Sequence, residues 1–366
     1  MTPRIAAKAI TMPPTAAQYP HIPQQAQKPP PMAQTATATR NLHFDSLKCI
    51  LIALVVLGHV LDSWQLSPTL LALNNVIYSF HMPLFVFISG YFSLTQADNK
   101  KKLHNLLRLA ETLIVFQTLY CLQPLLSGEI SLSTAIIIPA WSLWYLYSLI
   151  AWRALAYFLP HSIARHSSLL IAGAVAISLI AGFIPIASEF SVQRTLTFLP
   201  FFVLGYVCRM KDFHITRCQL PRIAALAILI AAFAVMLIVD HNMAHVFWGK
   251  SPYGTPQWLY LALRAGFLFA ATVMSIAIIS IVPVLPTPCL NIGRDTMFIY
   301  MYHTLIITAI LITLHHLNIP TSPATAIPAY ILTATILLIL RKSTLLHHIL
   351  HPITNNNFTR NIFRRD

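Results

Sequence analysis

A histidine deep inside an apolar helix is costly unless it has a partner or a purpose. The stretch FDSLKCILIALVVLGHVLDSW, Phe44 to Trp64, carries one, His59, with Asp45 and Lys48 near its start. Imidazole titrates at about pH 6.5, so His59 reads as a general base able to accept a proton at neutral pH. The alternative is a histidine hydrogen-bonded between helices. Lys48 and His59 are eleven residues apart, about 1,100° of helical turn, so they share a face roughly 16 Å apart along the axis. Lys48 alone also suits an anchor that snorkels to the interface. Asp45, three residues before it, pairs with Lys48 on the first turn or caps the helix. Asp62, one turn beyond His59, either orients the ring or is a solvated helix end.

A second stretch, SFHMPLFVFISGYF, brings His81 and Pro83 ahead of an apolar run and closes it with Ser89 and Gly90. Proline inside a membrane helix frees a backbone carbonyl, and small residues allow helices to approach closely. By itself this pattern favours packing over chemistry.

The elements that must carry these residues are membrane helices. Of the 366 residues, 57% are hydrophobic and only 9% charged. Soluble chains carry about 25% charged residues, so this one lacks the polar surface to stay in water. Apolar segments of bilayer length recur from Leu47 to about Leu340. The fold class is therefore all-α, a polytopic integral membrane protein with about ten helices in one bundle. The ten expected spans lie near 47–63, 74–94, 104–126, 136–159, 168–187, 194–209, 222–240, 258–282, 291–313 and 325–342. Residues 1–43, rich in Pro, Ala, Gln and Thr, read as a disordered cytoplasmic tail, residues 44–343 as the membrane domain, and 344–366 as a basic cytoplasmic tail.

The net charge of +14 does not indicate nucleic acid, because the basic residues sit in short loops and tails beside apolar segments. With both termini inside, the inner segments hold Lys100, Lys101, Lys102, Arg108, Arg165, Arg209, Lys211, Arg217, Arg222, Arg341 and Lys342, besides the tails. The outer loops hold one clear basic residue, Lys250, against Asp62, Glu129, Glu189 and Asp240. That asymmetry obeys the positive-inside rule for an inner membrane protein. The five cysteines, Cys49, Cys121, Cys208, Cys218 and Cys289, show no metal-binding or disulfide spacing, and no metal is expected.

Five blocks in order, FDSLKCILIALVVLGHVL, SFHMPLFVFISGYF, WSLWYLYSLIAWR, RTLTFLPFFVLGY and GRDTMFIYMYHTLII, resemble those of the acyltransferase family 3 membrane proteins. They are most similar to its fucose 4-O-acetylase-like and Nod-factor acetyltransferase-like branch. The resemblance covers residues 44–340. It implies ten core helices, acyl-CoA taken from the cytoplasm, and acyl transfer to a hydroxyl of an envelope glycan or glycolipid. The family's first helix carries an arginine, ten intervening residues and an essential histidine, which fall here on Lys48 and His59. Lysine keeps the charge but loses the bidentate fork. The family's Arg-x-x-Arg pair after the second helix falls on Asn105 and Arg108, and Lys101 and Lys102 stand nearby to supply charge for the coenzyme phosphates.

The expected catalytic residues are thus His59, Asp45 and Lys48, with Lys48, Lys101, Lys102 and Arg108 holding acetyl-CoA. Arg194, His81 and His303 are expected to hold the acceptor, a cell-envelope glycan or lipid-linked sugar. Direct transfer and an acyl-histidine intermediate both remain open. Arg153 reads as a snorkelling residue, and Arg264 as either boundary or bundle-lining. Two rivals stand beside the acetyltransferase: a flippase or transporter of a glycan or lipid intermediate, and a succinyltransferase, which would need a further cation near the acyl pocket.

Overall fold

The computed structural model describes residues 41–94, 98–159, 166–186, 188–215, 219–239 and 245–343. The C-terminal tail, most of the N-terminal one, Cys218, Arg165, Arg217 and Asp240 lie outside the described residues.

Thirteen helices make up the described fold: α1 (Leu42–Asp62), α2 (Pro68–Tyr91), α3 (Asn99–Leu126), α4 (Leu132–Ile137), α5 (Trp144–Phe158), α6 (Ser167–Ala181), α7 (Val192–Met210), α8 (Arg222–Ile238), α9 (His245–Trp248), α10 (Gln257–Ile281), α11 (Thr287–Arg294), α12 (Thr296–His316) and α13 (Pro323–Lys342). Single turns of 3-10 helix, Trp141–Leu143 and Glu189–Ser191, lead into α5 and α7. No strand occurs among the described residues. Among the described residues, seven helical segments are long and apolar enough to cross a bilayer: α1, α2, α3, Glu189–Met210, α10, α12 and α13. The chain is an all-α polytopic membrane protein.

Three of the ten expected spans form shorter helices. α5 and α6 have 15 residues each and α8 has 17. At 1.5 Å per residue they reach about 23–26 Å, short of the ~30 Å hydrocarbon core. Local sequence explains the fourth. Pro139 disfavours helical backbone at Ile138, which is extended, so α4 stops and the chain restarts at Trp144. The ninth expected span also divides, with Asp295 separating α11 from α12.

The start of α1 is set by Asn41, whose side chain accepts from the His43 and Phe44 amides. The first helical residue is Leu42, so the expected tail loses its last two residues to the bundle. α1 lies against α2, α11, α12 and α13, which places it at the centre. Gly293 of α11 touches α1 so closely that a Cβ there would lie 1.9 Å from the Asp45 carbonyl oxygen.

α2 makes its broadest contact with α7. The reason is a reciprocal pair of glycines: a Cβ on Gly90 would meet the Phe202 carbonyl oxygen at 2.0 Å, and one on Gly205 the Phe87 carbonyl oxygen at 2.0 Å. Lipid supplies no hydrophobic drive between helices, so this close backbone approach is what dispersion forces require. Gly205→Ala is therefore expected to destabilise the bundle by about 3 kcal/mol or more, since neither facing backbone can yield. Gly173→Ala, with open space around the position, is expected to be neutral or stabilising by up to about 1 kcal/mol. Thermal unfolding in detergent micelles compares the two.

Candidate active site

Lys48, Ile52, Val55 and His59 follow one another at spacings of four, three and four residues, one continuous face of α1. Tyr78, Met82, Phe85 and Ser89 repeat the same spacing on α2. All eight residues wall two cavities within the bundle. One, about 250 Å³, surrounds His59 and is completed by Trp144, Arg194, Trp248 and Lys250. The other, about 150 Å³, surrounds Lys48 and is completed by Tyr145, Arg153 and Thr296. Val55, Met82 and Tyr300 belong to the walls of both.

His59 is half-buried at the wall of the larger cavity. Among the described residues no side chain hydrogen-bonds its ring; packing holds it. The His303 ring lies 5.1 Å away between centroids, and the Tyr78 ring stands edge-on at 6.4 Å. His303 is fully buried, and its Nδ1 donates to the Tyr300 carbonyl at 2.8 Å. His81 does likewise, Nδ1 donating to the Ile77 carbonyl at 2.7 Å. Because a carbonyl can only accept, Nδ1 is the donor in both rings, and the His303 Nε2 lies 3.3 Å from the Thr304 hydroxyl. His81 reaches the cavity wall; His303 stands behind His59 and does not.

Asp62 is neither a bare helix end nor the ring's partner. Its carboxylate accepts from Asn74 Nδ2 at 2.7 Å and from the Tyr78 hydroxyl, which fixes the tyrosine beside His59. Arg194 projects across the same cavity. Its Nε donates to the Trp248 carbonyl at 3.2 Å and its guanidinium lies 4.7 Å over the Trp144 ring. Lys250 Nζ sits 4.8 Å over Trp248. Among the described residues neither cation has a carboxylate within 4 Å, so both charges face the cavity. Trp141, with the left-handed φ of 50°, adds another aromatic wall. A non-glycine residue in that region stores strain and needs its surroundings to hold it there.

The smaller cavity lies about 16 Å along α1, near its start. Lys48 pairs with Asp45 at 2.8 Å, and Asp45, only 3% exposed, also meets Arg294 Nε at 3.6 Å. Asp45 and Lys48 thus belong to this end and not to the surroundings of His59. Lys101, Lys102 and Arg108 line neither cavity. Lys102 Nζ instead donates to the Tyr157 carbonyl at 3.4 Å, and Lys101 is exposed on the first turn of α3. Their place beside Lys48 is taken by Arg153, which sequence had assigned to the lipid interface. Arg264, 3% exposed, donates to the Ser178 and Ser251 carbonyls and ties α6 to the α9–α10 loop. Among the described residues no three His, Cys, Asp or Glu side chains are grouped to hold a metal ion.

Sequence reasoning passed over Lys250, Trp248 and Arg294 as site residues. The signal for Lys250 was present, since it is the one clear cation in the expected outer loops. Arg294 stood inside the quoted block GRDTMFIYMYHTLII, but nothing local tied it to Asp45, 249 residues earlier.

Helix-built cavities holding histidine at one end and cations at both define an integral membrane protein with polar groups gathered inside its bundle. A family model described as an acyltransferase domain matches residues 41–341, and the chain belongs to that family, acyltransferase family 3. It is similar to the nodulation protein NolL of Mesorhizobium japonicum, 32% identical over 193 residues, which are 47% of this chain and 48% of that protein. A second relative, the nodulation protein NolL of Sinorhizobium fredii, is 50% identical over 62 residues, 15% of this chain and 16% of that protein. The chain thus spans about half the length of the first relative it matches and about a sixth of the second. No solved structure shows a significant match.

The burial pattern sets an accessibility test. In a background with the five native cysteines replaced by serine, Lys250→Cys is expected to react with a water-soluble maleimide in membranes. His303→Cys, at a position with no exposure, is expected to stay unlabelled until the protein is denatured. Equal labelling of both would contradict the cavity geometry.

Proposed function

We propose that the protein is a membrane O-acyltransferase that moves an acetyl group from acetyl-CoA to a hydroxyl of an envelope polysaccharide, oligosaccharide or glycolipid. The single observation that carries this reading is the face of α1 that joins Lys48 in one cavity to His59 in the other. The termini and the Lys48 end lie on the cytoplasmic side of the inner membrane, in keeping with the basic residues gathered there.

Acyl-CoA is anionic through its phosphates and needs cations where it enters. Lys48, Arg153 and Arg294 stand at that end. Lys101, Lys102 and Arg108, on the first three turns of α3, would add charge only outside that cavity. The acceptor enters at the opposite end, where the exposed Trp141, beside the Arg194–Trp144 and Lys250–Trp248 pairs, offers a flat apolar face to a sugar ring. Its hydroxyl loses a proton to the His59 imidazole as the oxygen attacks the acyl carbon. His303 and Tyr78 hold the imidazole in place, and Arg194 faces the negative charge that develops on the acyl oxygen. A route through an acyl-histidine uses the same groups in two steps. Family membership supports transfer over a flippase, and the same experiment separates them.

Membranes supplied with labelled acetyl-CoA and host envelope glycans are expected to yield a base-labile ester on glycan. His59→Ala should lower that yield by about 10²–10⁴-fold, the range for loss of a general base. Lys48→Ala should raise KM for acetyl-CoA about tenfold with a smaller change in kcat, as loss of one charged binding contact does. Glycan export that continues without any ester formation would favour the flippase instead.

A further inference from the structure

The two cavities are separate, yet three side chains wall both. Val55 lies one helical turn from His59 on α1, Met82 one turn from Tyr78 on α2, and Tyr300 one turn from Thr296 on α12. They differ in freedom to move. Val55 is 3% exposed and branched at Cβ, which restricts its χ1. Tyr300 is tied at its hydroxyl to the Ser142 carbonyl, and its ring stands 5.5 Å from Tyr145. Met82 is unbranched, half-buried and makes no hydrogen bond, so it is the adjustable wall.

We propose that Val55, Met82 and Tyr300 form the gate at which acyl donor and acceptor meet, and that its size and apolar character select a short, uncharged acyl group. This rests on the acyltransferase reading above. On that reading the donor arm occupies the Lys48 cavity and presents its thioester carbonyl at the gate. The acceptor hydroxyl oxygen, in the His59 cavity, bonds to that carbonyl carbon while its proton passes to His59. The carbon–sulfur bond then breaks, the thiolate takes the proton from the imidazolium, and ester and free thiol leave by opposite ends. Only the acyl carbons need enter the gate. The Tyr300 hydroxyl is spent on Ser142, so the three side chains offer no charge to a carboxylate-bearing acyl chain such as succinyl. Arg153 lies on the Lys48 side, and Arg194 and Lys250 on the His59 side, so every cation stands outside the gate itself.

The test compares acetyl-, butyryl- and succinyl-CoA as donors for the same membranes and glycans, read as ratios of kcat/KM within each protein, so that differences in folded yield cancel. Each extra methylene a closed pocket rejects is worth about tenfold or more. Wild type is expected to prefer acetyl over butyryl by about 100-fold and to use succinyl least. Met82→Ala and Val55→Ala should each raise the butyryl-to-acetyl ratio about tenfold, and Met82→Phe should depress it further. Leu204→Ala, on the apolar groove between α2, α7 and α10, should leave the ratio unchanged. If Met82→Ala fails to accumulate, Val55→Ala carries the comparison alone. Unchanged ratios in the alanine variants, alongside acetyl transfer that requires His59, would overturn the gate and leave the function standing. Succinyl transfer by wild type as efficient as acetyl would overturn its apolar selectivity. A wild type that transfers no acyl group at all would remove both the function and the gate.

Discussion

Two buried glutamines hold open the place where this bundle departs from regular helix. Inside a membrane every backbone carbonyl released by a helix break must find a donor within the protein. Gln117, on α3, donates to the Ala135 and Ile138 carbonyls at 2.8 Å each and accepts from the Ala140 amide at 3.0 Å. It thereby fixes the broken backbone that carries Trp141 and Trp144 to the cavity wall. Gln193, beside Arg194 on α7, donates to the Ala181 and Ile184 carbonyls at the end of α6, at 2.7 and 2.8 Å. A carbonyl left bare in such a place costs about 1–3 kcal/mol, so each amide secures several times the value of an ordinary surface bond. Gln117 thus serves the cavity wall itself, and Gln193 fixes the end of α6 against α7 beside Arg194.

The central helices are positioned by a different means, close approach at small residues. Gly90 and Gly205 bring α2 and α7 into backbone contact, and Gly293 does the same for α11 against α1. Once α1 and α2 are fixed, their matching residue spacings turn two helical faces towards each other. The consequence is functional: one face of α1 carries the cation, the shared wall and the histidine in a single line. Ion pairs then lock the Lys48 end, where Asp45 bridges Lys48 and Arg294, and Arg341 meets Asp295 at 2.5 Å.

Much of the fold was legible because its signals are local. Apolar length, loop charge and the position of His59 within a span depend on residues within about twenty places of each other. The helix count was less legible. Pro139 and the Arg294–Asp295 step are visible in sequence, but whether a break survives in lipid depends on a donor elsewhere, here Gln117. Arg153 and Lys102 show the same limit for side chains. Arg153 reads as a snorkelling residue and Lys102 as a coenzyme contact, and only the packing of α5 against its neighbours turned Arg153 to the Lys48 cavity and brought the Tyr157 carbonyl to Lys102.

The sequence by itself determined that this chain lives in a membrane, that it belongs with acyltransferases, and that a titratable ring sits at depth on the same face as Lys48. Those facts follow from composition, motif order and helical period. The tertiary structure alone decided that Arg194, Lys250 and three tryptophans wall the cavity beside that ring, that Asp62 serves Tyr78 and not His59, and that Val55, Met82 and Tyr300 wall both cavities. These depend on groups up to hundreds of residues apart, brought together by crossings whose geometry no single segment encodes.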